Sequence, residues 1–416
     1  MVHTIFWIII GIVIFDYLLE KFLDYLNYTS IQDTIPDQLE GIYDEEKYRK
    51  SQQYEKTNLA FSMVTSTFSF IIILVLLFAD GFAFLDNYVS NITHNEYLRA
   101  LLFFGIFGLS MDIITIPFQI YGIFVIEEKF GFNKTTVHTF IIDKFKGLLI
   151  GALIGGVLLV FIMWAWSETG NWFWLIVMGG ISAFSIFMTM FYSRLIVPLF
   201  NKQTPLEEGS LKLAIVNFSE KAGFKIDNIF IIDGSKRSTK ANAYFSGLGH
   251  KKRIVLYDTL ISELKESEIV AVLAHEVGHY KLKHVYLGLL LSLLQSALMI
   301  GLLFFAISKP ELSFAIGATS PSFYMGLVAF GLLFSPISTI IGIMLNMVSR
   351  KHEYKADSFA NSYGYGVELI DGLIVLSVSS LSNLTPHWLY VFFHYSHPTL
   401  LQRKNAIMKQ QGGDSI

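Results

Sequence analysis

Cysteine is absent from the 416-residue sequence. That removes disulfide frameworks, thiolate metal sites and cysteine nucleophiles, so any metal site must be built from histidine and carboxylate. Charge is scarce too. Asp, Glu, Lys and Arg make up 16% of the chain, against about 25% in ordinary soluble domains. The net charge of −3 lacks the basic excess of a nucleic-acid binder. No internal repeat and no low-complexity linker is visible. What is abundant is apolar: 53% of residues are hydrophobic, with 37 Phe and 20 Tyr, and the mean hydropathy is +0.51. A soluble chain of this length would suggest two or three domains. A chain this oily can neither wet a globular surface nor stay disordered, so an ordinary cytosolic enzyme is excluded.

The apolar residues fall in seven stretches of membrane-spanning length, near 3–26, 60–86, 98–124, 147–167, 171–197, 284–308 and 322–348. The first is read as a retained helix rather than a signal peptide. Its start, Met1-Val2-His3-Thr4, carries no Lys or Arg, and Asp16 and Glu20 interrupt its second half. Alternate connections are basic. Lys47, Arg49, Lys50 and Lys56 follow the first stretch, and Lys129, Lys134, Lys144 and Lys146 follow the third. Segment 198–283 and the tail after 349 are also basic, whereas the remaining connections carry only Arg99 and Lys309. The positive-inside rule then puts the N-terminus outside and the C-terminus in the cytoplasm. A multi-pass protein of a bacterial inner membrane or of the ER membrane fits; the tail Gly412-Gly413-Asp414-Ser415-Ile416 shows no ER-retrieval signal. Asp16, Asp112, Gln119, Gln295, Ser335 and Asn346 lie in or near apolar stretches, where polar groups face the bundle interior or a wet cavity. Reaching out to water from a helix end explains Asp16 and Asp80 equally well. It does not explain Asp112, in the middle of Leu109-Ser110-Met111-Asp112-Ile113-Ile114.

Four regions follow: 1–197 with five membrane helices, 198–283 as a polar segment, 284–349 with two more membrane helices, and 350–416 as a second polar segment. The first polar segment opens on a helical pattern near 206–223. Runs at Asn228–Asp233, Ala243–Gly247 and Arg253–Tyr257 then read as strands of a small antiparallel sheet. A helix is expected from Leu264 through His279. The second polar segment continues the seventh helix from Ser349 to about Tyr363, with more helix near 366–383.

His275-Glu276-Val277-Gly278-His279 is an HExxH motif. On a helix, positions i and i+4 share a face, so both imidazoles can bind one zinc ion while Glu276 reaches the water beside it. A third ligand must be His, Glu or Asp. The best candidate is Glu353, in Ser349-Arg350-Lys351-His352-Glu353-Tyr354-Lys355-Ala356-Asp357. Asp357 is i+4 from it and suited to accept a hydrogen bond from the far nitrogen of a ligand histidine. Read alone, this segment is better explained as a solvated, mixed-charge helix end; beside HExxH in one compartment, it reads as a ligand. The other histidines carry no such pattern. His284 and His394 read as helix ends near the membrane surface, and His352 points about 100° from Glu353 on a helix. His3, His94, His138, His250 and His387 have no partner pattern.

HEVGH followed by SRKHEYKAD resembles the CAAX prenyl protease type 1 family of membrane zinc metallopeptidases. Further segments carry the likeness: Glu127–Thr136 resembles that family's EEK-x-GFNKTT, Asn242–Gly247 its NA-x-x-x-G strand, and His397-Pro398-Thr399 with Arg403 its HP…R element. The resemblance implies a mainly α integral membrane fold. Seven transmembrane helices would form a barrel around a hydrated chamber, with a small cytoplasmic α+β zinc-metallopeptidase domain of gluzincin type. It implies cleavage of peptide or protein substrates near their C-terminus, often prenylated ones, in contact with membrane lipid. One zinc ion would be held by His275, His279 and Glu353. Glu276 would be the general base, Asp357 would orient a ligand and His397 would donate to the oxyanion. Asn242 would bond the substrate backbone as an added edge strand. Arg403 is left open between Asp357 and a substrate carboxylate. A quality-control membrane protease sharing HExxH is the nearer rival, but it has fewer spans and no EEK-x-GFNKTT segment. A transporter or receptor is the distant one; the inverted repeats of a transporter are not visible.

Overall fold

A computed structural model of the chain describes residues 1–32, 34–36, 40–224, 228–247 and 252–413. His250 and the tail Asp414–Ile416 lie outside the described residues. All seven apolar stretches are helical, as lipid requires of a chain that must satisfy its own backbone hydrogen bonds. They are α1 (Val2–Thr29), α2 (Glu45–Phe78), α3 (Glu96–Tyr121), α4 (Val137–Thr169), α5 (Phe173–Leu195), α7 (His284–Ile307) and α8 (Phe323–Ser362), with α6 (Glu266–Lys281) between α5 and α7. By length and apolarity alone, 137–200 counts as a single span of 64 residues. Run straight, it would be about 96 Å long, three times the hydrocarbon core of a bilayer. A 3-10 turn at Gly170–Trp172 breaks it. Trp166 then meets Phe173 edge-on at 5.4 Å, and Phe161 lies against Gly180, so α4 and α5 form an antiparallel hairpin.

The extensive contacts run between neighbours of a closed ring: α1 on α2, α3 on α4, α4 on α5, α5 on α7, α7 on α8, and α8 back on α1. Aromatic pairs join α2 to α3, with Phe68 and Phe118 at 4.9 Å. Only 6% to 17% of each span's most apolar stretch is buried. Seven helices packed around a filled axis would bury more, so the ring is a barrel around a chamber. Leu149, Leu153, Val157 and Phe305 are exposed apolar side chains on these helices. Lipid gives apolar helices no hydrophobic reason to associate, so polar ties between them matter more. Tyr17 bonds Thr67 at 2.9 Å across α1 and α2, Ser335 on α8 donates to Asp16 on α1, and Lys144 on α4 pairs with Asp112 on α3. One end of the barrel is plugged by a buried cluster that includes Ile9, Leu77, Phe82, Phe103, Met163 and Tyr324.

Two expectations need correction. The stretch 60–86 is not one helix: α2 ends at Phe78, Asp80 turns the chain with φ 52°, and a separate helix runs Gly81–Ile92. α2 also starts fifteen residues earlier than its apolar part, at Glu45, where Asp44 caps it by accepting from Lys47 N at 2.8 Å. The sheet is neither three-stranded nor wholly antiparallel. Among the described residues it has β1 (Gln203–Pro205), β2 (Ile229–Ile232), β3 (Ala243–Ser246) and β4 (Arg253–Tyr257), in the order β1-β2-β4-β3. β2 and β4 run parallel, while β1 and β3 are antiparallel edges.

The segment Glu127–Thr136 fastens this sheet to the barrel. Lys134 N donates to Arg237 O at 3.0 Å, Thr239 N to Phe132 O at 3.1 Å, and Lys240 pairs with Glu127 at 3.0 Å. Arg237 grips Asp143 at the start of α4 in a two-pronged bond, at 2.7 and 2.9 Å. Beneath the sheet, α6 is buried from Glu268 to Gly278, with Glu276 as the exception. Ile269, Leu273 and Val277 are fully inside a core shared with Ile215, Leu256 and Leu369. Each such side chain contributes about 1.5–3 kcal/mol by leaving water.

Candidate metal centre and active site

The site begins with a close helix crossing. Gly278, inside the HExxH motif, faces Ala356 on α8; a methyl group there would sit 3.2 Å from the Ala356 Cα and 3.1 Å from the Phe359 Cβ. Only a glycine opposite an alanine lets the two helices approach this far. The approach brings His275 and His279, one turn apart on α6, to Glu353 of α8. Their Nε2 atoms lie 3.1 Å apart, and Glu353 Oε1 is 3.2 Å from His279 Nε2. Glu353 Oε2 is 3.4 Å from His275 Nε2, and it is buried without a hydrogen bond. One ligand atom from each of the three residues lies within 4.8 Å of the others. Two imidazole nitrogens and an orphaned carboxylate oxygen turned to one point fit a metal ion, in the two-histidine-one-carboxylate donor set of catalytic sites.

The surrounding groups fix that orientation. Asp357, 1% exposed, is 2.8 Å from His275 Nδ1. As the acceptor it holds the proton on Nδ1 and leaves Nε2 free for a metal. Arg403, on α9 (Leu400–Gly413), donates to Asp357 at 2.9 Å from Nε and 2.6 Å from Nη2, and its Nη1 lies 3.6 Å from Glu353. Burial pushes the Asp357 carboxyl up, but the bonds from His275 and Arg403 outweigh it and hold Asp357 below the usual range. Burial likewise works against the Glu353 carboxylate, yet His275 and His279 keep it far down. His275 is drawn down by burial and pulled up more strongly by Asp357 and Glu353, ending at about 9 with no metal bound.

Glu276, partly exposed, lines a cavity of about 560 Å³ with His279, Phe245, Ser292 and Gln295. His397 Nε2 is 3.4 Å from Glu353 Oε1 while most of its ring is exposed. Asn242 stands just before β3. Its Oδ1 accepts from Ala243 N at 2.8 Å and its carbonyl from Tyr257 N at 3.0 Å. The structure thus gathers His275, His279, Glu353, Asp357, Arg403 and His397 around one point, with Glu276 at its mouth and Asn242 at the sheet edge. Of the two partners left open for Arg403, it is bonded to Asp357.

Sequence reasoning missed two neighbours. His284 is not a free helix end: its Nδ1 is 3.0 Å from His279 Nδ1, and its ring stacks on His352 at 3.9 Å. The HExxH pattern gives no hint of this contact, because it depends on the turn between α6 and α7. His387 also has a use, accepting from Leu389 N at 3.2 Å as a helix cap.

Residues 24–202 match the family model of the CAAX prenyl protease N-terminal region, with five membrane helices, and residues 205–411 match peptidase family M48. CAAX prenyl protease 1 of Saccharomyces cerevisiae is 33% identical, over 96% of this chain and 94% of the relative. The chain belongs to the CAAX prenyl protease 1 family, within peptidase family M48. The CAAX prenyl protease 1 homolog of Dictyostelium discoideum is 35% identical over 95% of each chain. The crystal structure of S. mikatae Ste24p superposes with a TM-score of 0.91 at 34% identity, covering 97% of this chain and 98% of that one. The protein is therefore an integral membrane metallopeptidase that acts on peptide or protein substrates, and the barrel is the family's fold.

Proposed function

We propose that this protein is a single-zinc endopeptidase that cleaves prenylated, CAAX-type proteins near their C-terminus. The observation that carries the reading is the meeting of His275, His279 and Glu353 at one point, with Glu276 on the adjoining cavity. Those three residues hold the zinc. Bound there, zinc supplies Lewis acidity, which lowers the pKa of water and polarises the scissile carbonyl. Glu276 takes the proton from the attacking water and delivers it to the leaving amine. His397 donates to the oxyanion that develops on the carbonyl oxygen. Asp357 keeps His275 in the tautomer that presents Nε2, and Arg403 holds Asp357. The outer edge of β3 is free of sheet partners among the described residues, and Phe245 on that strand lines the Glu276 cavity. A substrate laid along it as a further strand runs past Glu276, with Asn242 at the strand's start to bond its backbone.

Support for a prenylated substrate is of two kinds. The relatives are named CAAX prenyl protease 1. A second, largely apolar cavity of about 720 Å³, lined by Met188, Val197, Phe200 and Tyr244, shares Phe245 and Val285 with the Glu276 cavity. An isoprenoid chain fits such a lining. The basic connections support a cytoplasmic zinc site and an outside N-terminus. The test is cleavage of a farnesylated CAAX peptide and its unprenylated twin by purified protein in proteoliposomes. Wild type is expected to prefer the farnesylated peptide, and Glu276→Gln to keep its zinc while losing 10²–10⁴-fold in kcat. A Glu276→Gln protein that cleaves as wild type does would falsify the mechanism. Equal cleavage of both peptides would refute the prenyl preference and favour a general membrane protease.

A further inference from the structure

We infer that His284 is a positioning residue for the metal, accepting a hydrogen bond from ligand His279 as Asp357 does from ligand His275. This inference rests on the metallopeptidase reading of the site. The argument begins with the turn between α6 and α7. α6 ends at Lys281, and Lys283 takes a left-handed conformation, φ 60°, that a side-chain-bearing residue adopts only when its surroundings hold it there. The turn brings the first residue of α7 back beneath the last turn of α6. His284 is thereby 7% exposed, with its Nδ1 3.0 Å from the Nδ1 of His279.

The tautomers follow from chemistry. His279 turns Nε2 towards His275 and Glu353, so its proton resides on Nδ1. The only role left for the facing His284 Nδ1 is that of acceptor, which puts the proton of His284 on its own Nε2. His352 stacks flat on the His284 ring, at 3.9 Å and 4° between planes, and sets its orientation. The two ligand histidines thus have unlike supports: a carboxylate behind His275 and a neutral imidazole behind His279.

Two substitutions separate the hydrogen bond from the stacking. His284→Phe keeps a ring on His352 and loses the acceptor. His284→Asn loses the ring and places Oδ1 near the position of Nδ1. Zinc affinity is measured by chelator competition on the full-length protein in detergent, with the visible spectrum of the cobalt form as a second readout. His284→Phe is expected to weaken zinc binding 10–100-fold, the usual effect of losing a ligand's partner, and to alter the cobalt bands. His284→Asn should stay within about threefold of wild type, because the acceptor is retained. The inference is overturned if His284→Phe binds zinc as wild type does, or if His284→Asn is as weak as His284→Phe. Should His284→Phe fail to fold, His284→Asn decides alone: a tenfold loss or more overturns the inference. Glu276→Gln, with zinc affinity unchanged, is the control. A wild-type protein that binds no zinc overturns the underlying reading along with this one.

Discussion

Asp357 is the most heavily used acceptor in the site, and its pairing with Arg403 sets up a double-substitution cycle. The carboxylate is 1% exposed and takes three bonds, one from His275 and two from Arg403. Asp357→Leu leaves a buried guanidinium whose next carboxylate, Glu353, is 3.6 Å from Nη1, against the 2.6 Å of the Asp357 bond it loses. Breaking a buried pair by removing one partner costs about 3–5 kcal/mol, because the surviving charge is uncompensated. It also strips His275 of its Nδ1 acceptor, which should weaken zinc binding about 10–100-fold. Arg403→Leu breaks the same pair but leaves the bond between His275 and Asp357 in place, so zinc affinity should fall less than tenfold while stability falls comparably. In Asp357→Leu/Arg403→Leu neither charge is stranded. The double variant should then be more stable than the sum of the singles implies, by about 1–3 kcal/mol. Denaturant unfolding of the metal-free proteins in mixed micelles measures the coupling, and chelator competition measures zinc. Losses that add to within 0.5 kcal/mol, or equal zinc loss in both single variants, would refute the assignment of Asp357 as the shared partner.

The pH dependence of metal binding has a definite sign. In the metal-free site His275 titrates at about 9, above its ordinary value, so below that pH it carries a proton that zinc must displace. Apparent zinc affinity should fall about tenfold for each pH unit below 9, with close to one proton released per ion at pH 7. Calorimetry in two buffers of different ionisation enthalpy reads that proton, and a release near zero refutes the value. His397→Gln should lower kcat about 10²–10³-fold with zinc affinity little changed, since the donation is made in the transition state. A kcat within tenfold of wild type would remove His397 from the oxyanion site.

The features legible in the sequence are those governed by local periodicity. Apolar stretches of bilayer length gave the spans, and i, i+4 spacing gave both the histidine pair of α6 and the carboxylate pair of α8. Breaks inside apolar sequence were harder to see. Asp80 is the single charge in Phe78-Ala79-Asp80-Gly81-Phe82, and it reads there as a group reaching for water, although it turns the chain. The polar first half of α2 was invisible for the opposite reason: it is helical outside the bilayer, where hydropathy carries no signal. The parallel pairing of β2 with β4 depends on a crossover that skips β3, and no local pattern encodes strand order. His284 escaped notice because its contact with His279 requires a left-handed lysine, a conformation that nothing in Lys281-Leu282-Lys283 announces.

Polarity and mechanical continuity divide this chain differently. The polarity boundary at 283/284 falls in a turn of two residues between α6 and α7, and the boundary at 349/350 falls inside α8, which runs unbroken for 40 residues. That helix is about 60 Å long, twice the hydrocarbon core, so its far end stands clear of the bilayer. Glu353 and Asp357 ride on this projecting end, and their direction is set by a helix clamped in the barrel wall between α7 and α1. His275 and His279 are tied to the same wall through Lys283 and the first turn of α7. The metal centre is therefore the place where two membrane helices emerge side by side, and its geometry is inherited from their packing. An excised 198–283 segment would carry HExxH but lack Glu353. Rejoining it to 350–416 by a flexible linker would restore the ligand and lose the rigid support that aims it.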